Sequence, residues 1–292
     1  MSNIVVDGIE IATSGRLLRT ARVRAEGFEC IEKPAEFFEK ARAAGLKADM
    51  FTFLQEIGEQ KPRHDFYHEP DYLSVMSITT FDEWMKKQIN GKTRNMIRKA
   101  EKCGVEVRLS ECDDEFVRGI ERIYNESPIR QGKPFQHYNK DFETLKKAHL
   151  TYADKSQFIG AYLNGEMIGF IKLFHGKGIS SLMQIIAMVS VRDKAPTNAL
   201  IAKAVEICAQ RGVNRLHYGV WSRRSLGEFK KHHAFEKYEL PRYYVPLTAK
   251  GRAALSLKLH RKLTERLPGK WQDYLADQRG LHYARKYRSQ AG

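Results

Sequence analysis

The groups in this chain that could do chemistry together gather between residues 128 and 231. The stretch SPIRQGKPFQHY sets Arg130, Gln131, Lys133, Phe135 and Tyr138 close together. Arginine and lysine can grip an acidic or phosphorylated partner, and an aromatic ring can stack on a planar one. A loop holding glycine and proline between two helices is equally well a plain connector. Gln184 is a lone amide in the apolar run ISSLMQIIAM, so it is either hydrogen-bonded within the fold or turned to a site. Arg192 and Lys194 precede a helix opened by Pro196, and a helix N-terminus attracts anions. The chain has no G-x-S-x-G, P-loop, H-E-x-x-H or Ser-His-Asp order, which leaves hydrolase and nucleoside-triphosphatase chemistry without local support.

Composition narrows the classes further. With 42% hydrophobic and 29% charged residues in 292, the chain can bury a proper core, as one large domain or two small ones. No run of about 18 uncharged apolar residues offers a membrane span, and the start lacks the features of a secretory signal, so the expectation is a cytoplasmic protein, soluble or peripheral to a membrane. Cys30, Cys103, Cys112 and Cys208 form no C-x-x-C pair and read as reduced structural thiols. His232 and His233 are adjacent, a poor chelating geometry on a helix, and no metal site is expected. The formal charge is +15, and from position 249 onward 11 basic residues stand against 3 acidic ones. Such a patch either attracts phosphate-rich partners, namely nucleic acid, an anionic membrane surface or a nucleotide-linked substrate, or is a solvated helical face.

The elements that must position these residues can be read from periodicity and punctuation. Ile4 to Ile11 and Ala21 to Ile31 read as two strands, and Pro34 to Gly45 as a short amphipathic helix. Tyr72 to Ile78 is a strand, and Thr80 caps a helix or helix pair running to Gly104, with Arg94, Arg98 and Lys102 on one face as a cationic ridge. Val105 to Leu109 alternates as a strand. Asp113 and Asp114 open a helix with Phe116, Ile120 and Ile123 or Tyr124 on its apolar stripe, and a second helix covers Lys140 to Tyr152. FIGAYL, MIGFIKLF and ISSLMQIIAM follow, with turns at Asn164-Gly165 and Gly176-Lys177-Gly178, and make a three-stranded antiparallel meander. A helix from Pro196 buries Leu200, Ile201, Ala204, Val205 and Cys208 before Gly212 stops it. The strand RLHYGV, the loop WSRRS, the helix LGEFKKHH and strands near Phe235 to Tyr238 and Tyr243 to Val245 complete the unit. In the tail, Leu255, Leu259, Leu263 and Leu267 fall four apart among basic residues, as on an amphipathic helix.

That order, a meander feeding a central helix and then a further strand, resembles the GNAT acyltransferase superfamily. Two stretches bring it closer to the Fem-type branch, the peptidoglycan-bridge aminoacyltransferases built of two GNAT-like halves: KTRNMIRKAEKCGVEV, similar to an arginine-rich helix joining the halves, and SLGEFKKHHAFE after a strand ending YGV. Position 234 is Ala where the Fem-type pattern usually has Gly. The resemblance implies an α/β (α+β) fold with a mixed central sheet flanked by helices. It divides the chain into a degenerate GNAT-like half over 1–104, an acyltransferase domain over 105–248 and a basic helical tail over 249–292.

What it implies for activity is acyl transfer, most simply N-acyl or N-acetyl transfer, to an amine or hydroxyl of an anionic acceptor such as an amino sugar or envelope precursor. The acceptor attacks directly, with no covalent enzyme intermediate. Tyr218 becomes a candidate acid or orienting hydroxyl, or else a tyrosine packed at the sheet rim. Lys230, matched to the branch's lysine, stabilises a phosphate or oxyanion, or is an exposed helix lysine. Arg130, Gln131, Lys133, Phe135, Tyr138, Gln184, Trp221 and Ser222 are expected to bind substrate, and Arg192, Lys194, Thr197 and Asn198 the donor. No permanently bound cofactor is expected. The donor is either acyl-CoA or aminoacyl-tRNA, and VRDKAPTNAL lacks the glycine loop by which acetyl-CoA enzymes of the superfamily cradle pyrophosphate. A reading from another class is a catalytically inactive GNAT scaffold that binds RNA or an anionic membrane through its basic tail.

Overall fold

The computed structural model describes residues 3–261 and 268–288. The chain divides into two compact units, one formed by Met1–Leu73 with Lys237–Pro268 and the other by Ser74–Glu236 with Gly269–Gly292.

In the first unit, β1 (Asn3–Val6) and β2 (Ile9–Ser14) form an antiparallel hairpin. Its turn residues Asp7 and Gly8 both take positive φ, 49° and 79°, as a two-residue turn of this hand demands. The single strand expected over Ile4 to Ile11 is therefore two, and Asp-Gly was the signal for it. Of the second expected strand only Ala21 to Val23 is regular, within β3 (Thr20–Val23). β3 pairs in parallel with β4 (Met50–Leu54), a fully buried run, MFTFL, that carries no alternation to betray it. Opposite β4 lies β13 (Glu236–Pro246), one continuous strand where two short ones were expected. α1 (Pro34–Ala43) and β4 build an aromatic core from Phe37, Phe38, Phe51 and Phe53 with Tyr243 of β13. Half-buried Arg242 holds Glu26 and Asp71 at 2.7 Å each. α8 (Ala249–Ser256) is capped by Thr248 and packs so closely that a Cβ on Gly251 would collide with the Asp49 carbonyl.

β5 (His68–Ser77) carries the chain into the second unit. There α2 (Phe81–Glu83), capped by Thr80, runs into a π-helical turn over Trp84–Gln88. α3 (Gly91–Lys102) follows, capped by Asn90. Arg94 donates to the carbonyls of Met85, Lys86 and Ile89 and so closes the wide turn, while Arg98 and Lys102 stay exposed. β6 (Glu106–Ser110), α4 (Asp114–Asn125) and α5 (Phe142–Leu150) come next, both helices capped by aspartate. Between those helices a two-residue ribbon forms, β7 (Ile129–Arg130) against β8 (Lys133–Pro134).

The meander stands as expected: β9 (Ser156–Leu163), β10 (Glu166–His175) and β11 (Ser180–Ala187). β6 adds to the outer edge of β9, and β12 (Arg215–Val220) to the other side of β11. α6 (Pro196–Gln210) buries its expected stripe, and it packs with α3 over the core of Ile171, Leu200, Val205 and Leu216. α7 (Arg224–His232) follows β12, and α9 (Gly269–Arg288) is the second helix of the tail. Leu263 and Leu267 of the tail lie outside the described residues.

Candidate active site

β11 and β12 are parallel neighbours for two residues only. Ser180 pairs with Leu216 and Ser181 with His217, and no pairing follows. At the same level β11 bulges: Lys172 of β10 faces Gln184, Leu173 faces Leu182, and Met183 is the unmatched residue between them. The strands therefore part from Leu182 and Tyr218 onward, and side chains buried before that point become half-buried beyond it. A wedge between separating strands is where backbone and side-chain polar groups face a ligand instead of one another.

Tyr218 lines the β12 side. Its ring meets Phe235 edge-on, and burial pushes its phenol up to about 12, so it keeps its proton at neutral pH. Its hydroxyl has no hydrogen-bond partner among the described residues. Lys230, buried in α7, reaches beneath it. The ammonium sits 4.5 Å from the Tyr218 ring centroid and donates to the carbonyls of Tyr218 (2.7 Å) and Val220 (2.8 Å) and to Ser74 Oγ (3.1 Å). Burial pushes it down to about 8, still charged at pH 7, with three oxygens favouring that form. Two of its three protons are thus used in fixing the end of β12, where Gly219 turns at φ 61°, and the third is held by Ser74 of β5. α7 can approach because Gly227 lacks a Cβ, which would lie 2.2 Å from the Ser222 carbonyl oxygen. Half-buried Trp221 and Ser222 make the link between β12 and α7.

On the β11 side Gln184 is half-buried, and its Oε1 accepts from the Tyr124 hydroxyl at 3.0 Å. Tyr124 is enclosed by Phe135, His137 and buried His149, whose imidazole burial holds neutral with a pKa of about 3. Lys172, a charge inside the apolar strand β10, donates to the His149 and Thr151 carbonyls, and burial lowers it to about 8. From sequence Tyr124 was read only as a possible member of an apolar stripe and His149 was not singled out, but the lone lysine in MIGFIKLF was a visible signal of a buried polar network.

The loop residues divide. Arg130 donates to the carbonyls of Ala187 (2.8 Å) and Ile123 (2.6 Å), lies 3.4 Å from Glu126 and covers the Phe135 ring. It clamps the ribbon to the end of β11. Glu126 completes the clamp by accepting from the backbone of Val189 and Ser190 and from the Ser190 hydroxyl. Burial alone would raise that carboxyl, but these hydrogen bonds outweigh it and hold it below the ordinary value. Gln131, Lys133 and Tyr138 are exposed on the same loop.

Ahead of α6, exposed Arg192 and half-buried Lys194 sit in a 3₁₀ turn. Ala195 caps the helix at φ 56° without a side-chain hydrogen bond. Backbone N–H groups here are largely spent within the turn: Arg192 on Val189, Lys194 on Val191, Ala195 on Arg192, and Asn198 and Ala199 on Ala195. The Asn198 side chain is held by His233 Nε2 at 3.2 Å, and His233 Nδ1 donates to Phe229. Thr197 is half-buried on the first turn. Ala234, just past α7, is left-handed at φ 67°, which explains why glycine suits that position.

A parting pair of strands beside a central helix, fed by a meander, defines the class. Residues 87–231 match the family model of the acetyltransferase (GNAT) domain, so this stretch of the chain is a domain of the GNAT type. Its fold is shared with a crystal structure of the C-terminal domain of a putative lysylphosphatidylglycerol synthetase from Agrobacterium fabrum (13% identity, 87% of this chain and 86% of that one, TM-score 0.58). It is shared equally with FemX (13% identity, 87% and 89%, TM-score 0.58), and with L-PGS from Bacillus licheniformis (16%, 87% and 87%, TM-score 0.53). The likeness to FemX is one of fold, the mixed sheet flanked by helices that was expected from the sequence. No curated protein matches the chain.

A surface hollow of about 620 Å³ lies at the β6 edge, lined by Leu109, Cys112, Gln157 and Phe158 among others. It shares no residue with the wedge and gathers none of these polar groups, so the wedge is the better site.

Proposed function

We propose that this protein is an acyltransferase whose donor is an aminoacyl ester of tRNA in preference to acyl-CoA. It would transfer the group to an amine or hydroxyl of an anionic acceptor such as an amino sugar or cell-envelope precursor. The observation that carries the choice of donor is the turn before α6. A pyrophosphate cradle needs several backbone N–H groups pointing outward together, and from Arg192 to Ala199 five are committed to carbonyls of the same segment while Pro196 has none. The name of the lysylphosphatidylglycerol synthetase that shares this fold denotes an aminoacylated lipid as product, which supports transfer of an aminoacyl group.

In the wedge, the acceptor nitrogen or oxygen attacks the donor carbonyl carbon. The new C–N or C–O bond forms as the carbonyl π pair moves to oxygen, and the bond to the leaving oxygen (sulfur, for a thioester) then breaks. The unmatched bulge residue Met183 supplies a backbone donor for the oxyanion. Tyr218, protonated and with no hydrogen-bond partner for its hydroxyl among the described residues, gives its proton to the leaving atom and recovers one from the attacking group. Gln184, fixed by Tyr124, orients the acceptor, and Lys230 acts as a positioning residue that holds the Tyr218 and Val220 carbonyls. Exposed Lys133 and Arg192 attract the anionic partners.

The test is transfer of a labelled group from mixed aminoacyl-tRNA, with acetyl-CoA in parallel, to amino-sugar and lipid-linked acceptors. Transfer from tRNA is expected, and Tyr218→Phe should lower kcat about a hundredfold or more while leaving Tm within about 2 °C. Turnover with acetyl-CoA alone would refute the choice of donor. Unchanged kcat in Tyr218→Phe would remove the acid.

A further inference from the structure

α9 has two unlike faces. One packs inward within its unit: a Cβ on Gly269 would meet the Arg223 guanidinium, Arg224 grips Asp277 at 2.7 and 2.8 Å, and Gly280 lies against Gly132 of the β7–β8 ribbon. Arg223 also comes within 4.0 Å of Asp273. The helix therefore reaches from the start of α7, beyond the end of β12, to the ribbon that Arg130 clamps to the end of β11. It lies alongside the opening of the wedge.

The opposite face is built differently. Trp271, Tyr274, Leu275, Gln278, Leu281, His282 and Arg285 recur at i, i+3, i+4, i+7, i+10, i+11 and i+14, one stripe of an α-helix. Trp271, Tyr274, Leu275 and Leu281 on it are 60%, 54%, 43% and 53% exposed. Lys270, Arg279 and Arg285 flank or lie on that stripe and are exposed as well. The two acidic residues of the helix, Asp273 and Asp277, are both on the inward side facing Arg223 and Arg224. What points outward is thus apolar and cationic without a carboxylate.

We propose that this outward face of α9 docks on a lipid surface carrying anionic headgroups. Large apolar side chains with basic residues at their margin are what such an interface binds: the apolar tips enter the headgroup boundary and the cations sit among phosphates. An RNA partner would use the cations and rings but leaves Leu275 and Leu281 without a role. The inference concerns the surface and is independent of the donor in the wedge.

The experiment is sedimentation of the full chain with phosphatidylcholine vesicles, with and without about a third phosphatidylglycerol. The readouts are made for the wild type, Leu275→Asp/Leu281→Asp and Arg279→Glu/Arg285→Glu, with retention of bulk tRNA measured beside them. Wild type should bind the anionic vesicles, with neutral ones at least about tenfold weaker, and both variants should lose about tenfold or more at unchanged Tm. Equal binding of wild type to both vesicle types, or undiminished binding by the aspartate variant, overturns the proposal. So does loss of tRNA retention in the variants with no vesicle binding by wild type, which would make the face an RNA surface.

Discussion

At the scale of residues, the wedge rests on two lysines that carry charge where water is scarce. Lys230 and Lys172 are buried, and each is lowered by burial from the ordinary 10.5 to about 8. A group whose native value is depressed in this way penalises the folded state while it is charged. The penalty is complete below about pH 8 and is relieved as the pH rises toward 10.5, because the unfolded chain then binds more protons than the native one. Stability to urea should therefore increase between pH 7.5 and 9, by up to about 1.4 kcal/mol per pH unit for each lysine fully in its window, and Lys230→Met/Lys172→Met should flatten that slope. A slope unchanged in the double variant would mean that other groups set it. The resemblance singled out Tyr218 and Lys230 but not how their atoms are spent. Lys230 binds Ser74 Oγ across 156 positions, and a contact that distant leaves no local trace. The same holds for Arg130, whose guanidinium looked available in SPIRQGKPFQHY and is committed to two carbonyls.

At the scale of elements, α7 decides where Lys230 sits, and two small residues decide α7. Gly227 lets the helix lie on the Ser222 carbonyl, so Gly227→Ala should cost about 1–3 kcal/mol by overpacking. Ala234 carries a left-handed backbone with a Cβ, and Ala234→Gly should relieve that strain and gain about half a kcal/mol or slightly more, net of the extra backbone entropy of glycine. Paired chemical denaturation of the two variants should show opposite signs, and a destabilised Ala234→Gly would mean the backbone there is held by its surroundings at no cost. Elements with punctuation were legible: Asn164-Gly165 gave the β9–β10 turn, and Pro196 and Gly212 bracketed α6. Elements without it were not. β4 is five buried residues with no alternation, and β13 runs unbroken through Pro241, whose carbonyl accepts from Gln55, where two short strands were expected.

At the scale of the molecule, the chain leaves its first unit after Leu73 and returns to it at Lys237, an organisation that a reading along the sequence does not supply. The superfamily was legible because its element order is concentrated in one stretch, 87–231, with strong turn signals. The donor was not, since a missing glycine in VRDKAPTNAL says what is absent, and only the hydrogen bonds of Arg192 to Ala199 say how the turn is filled. The measurement that bears most directly on the account is the thermal stability of the intact chain with mixed aminoacyl-tRNA, acetyl-CoA and longer acyl-CoAs, each in large excess. A ligand held by the native wedge at about a hundred times its Kd adds about 2.7 kcal/mol, which for units of this size raises Tm by several degrees. That rise is expected with aminoacyl-tRNA, a smaller one with uncharged tRNA, and little with either thioester. A thioester response larger than that of aminoacyl-tRNA would contradict the choice of donor, and no response to any of them would contradict acyl transfer itself.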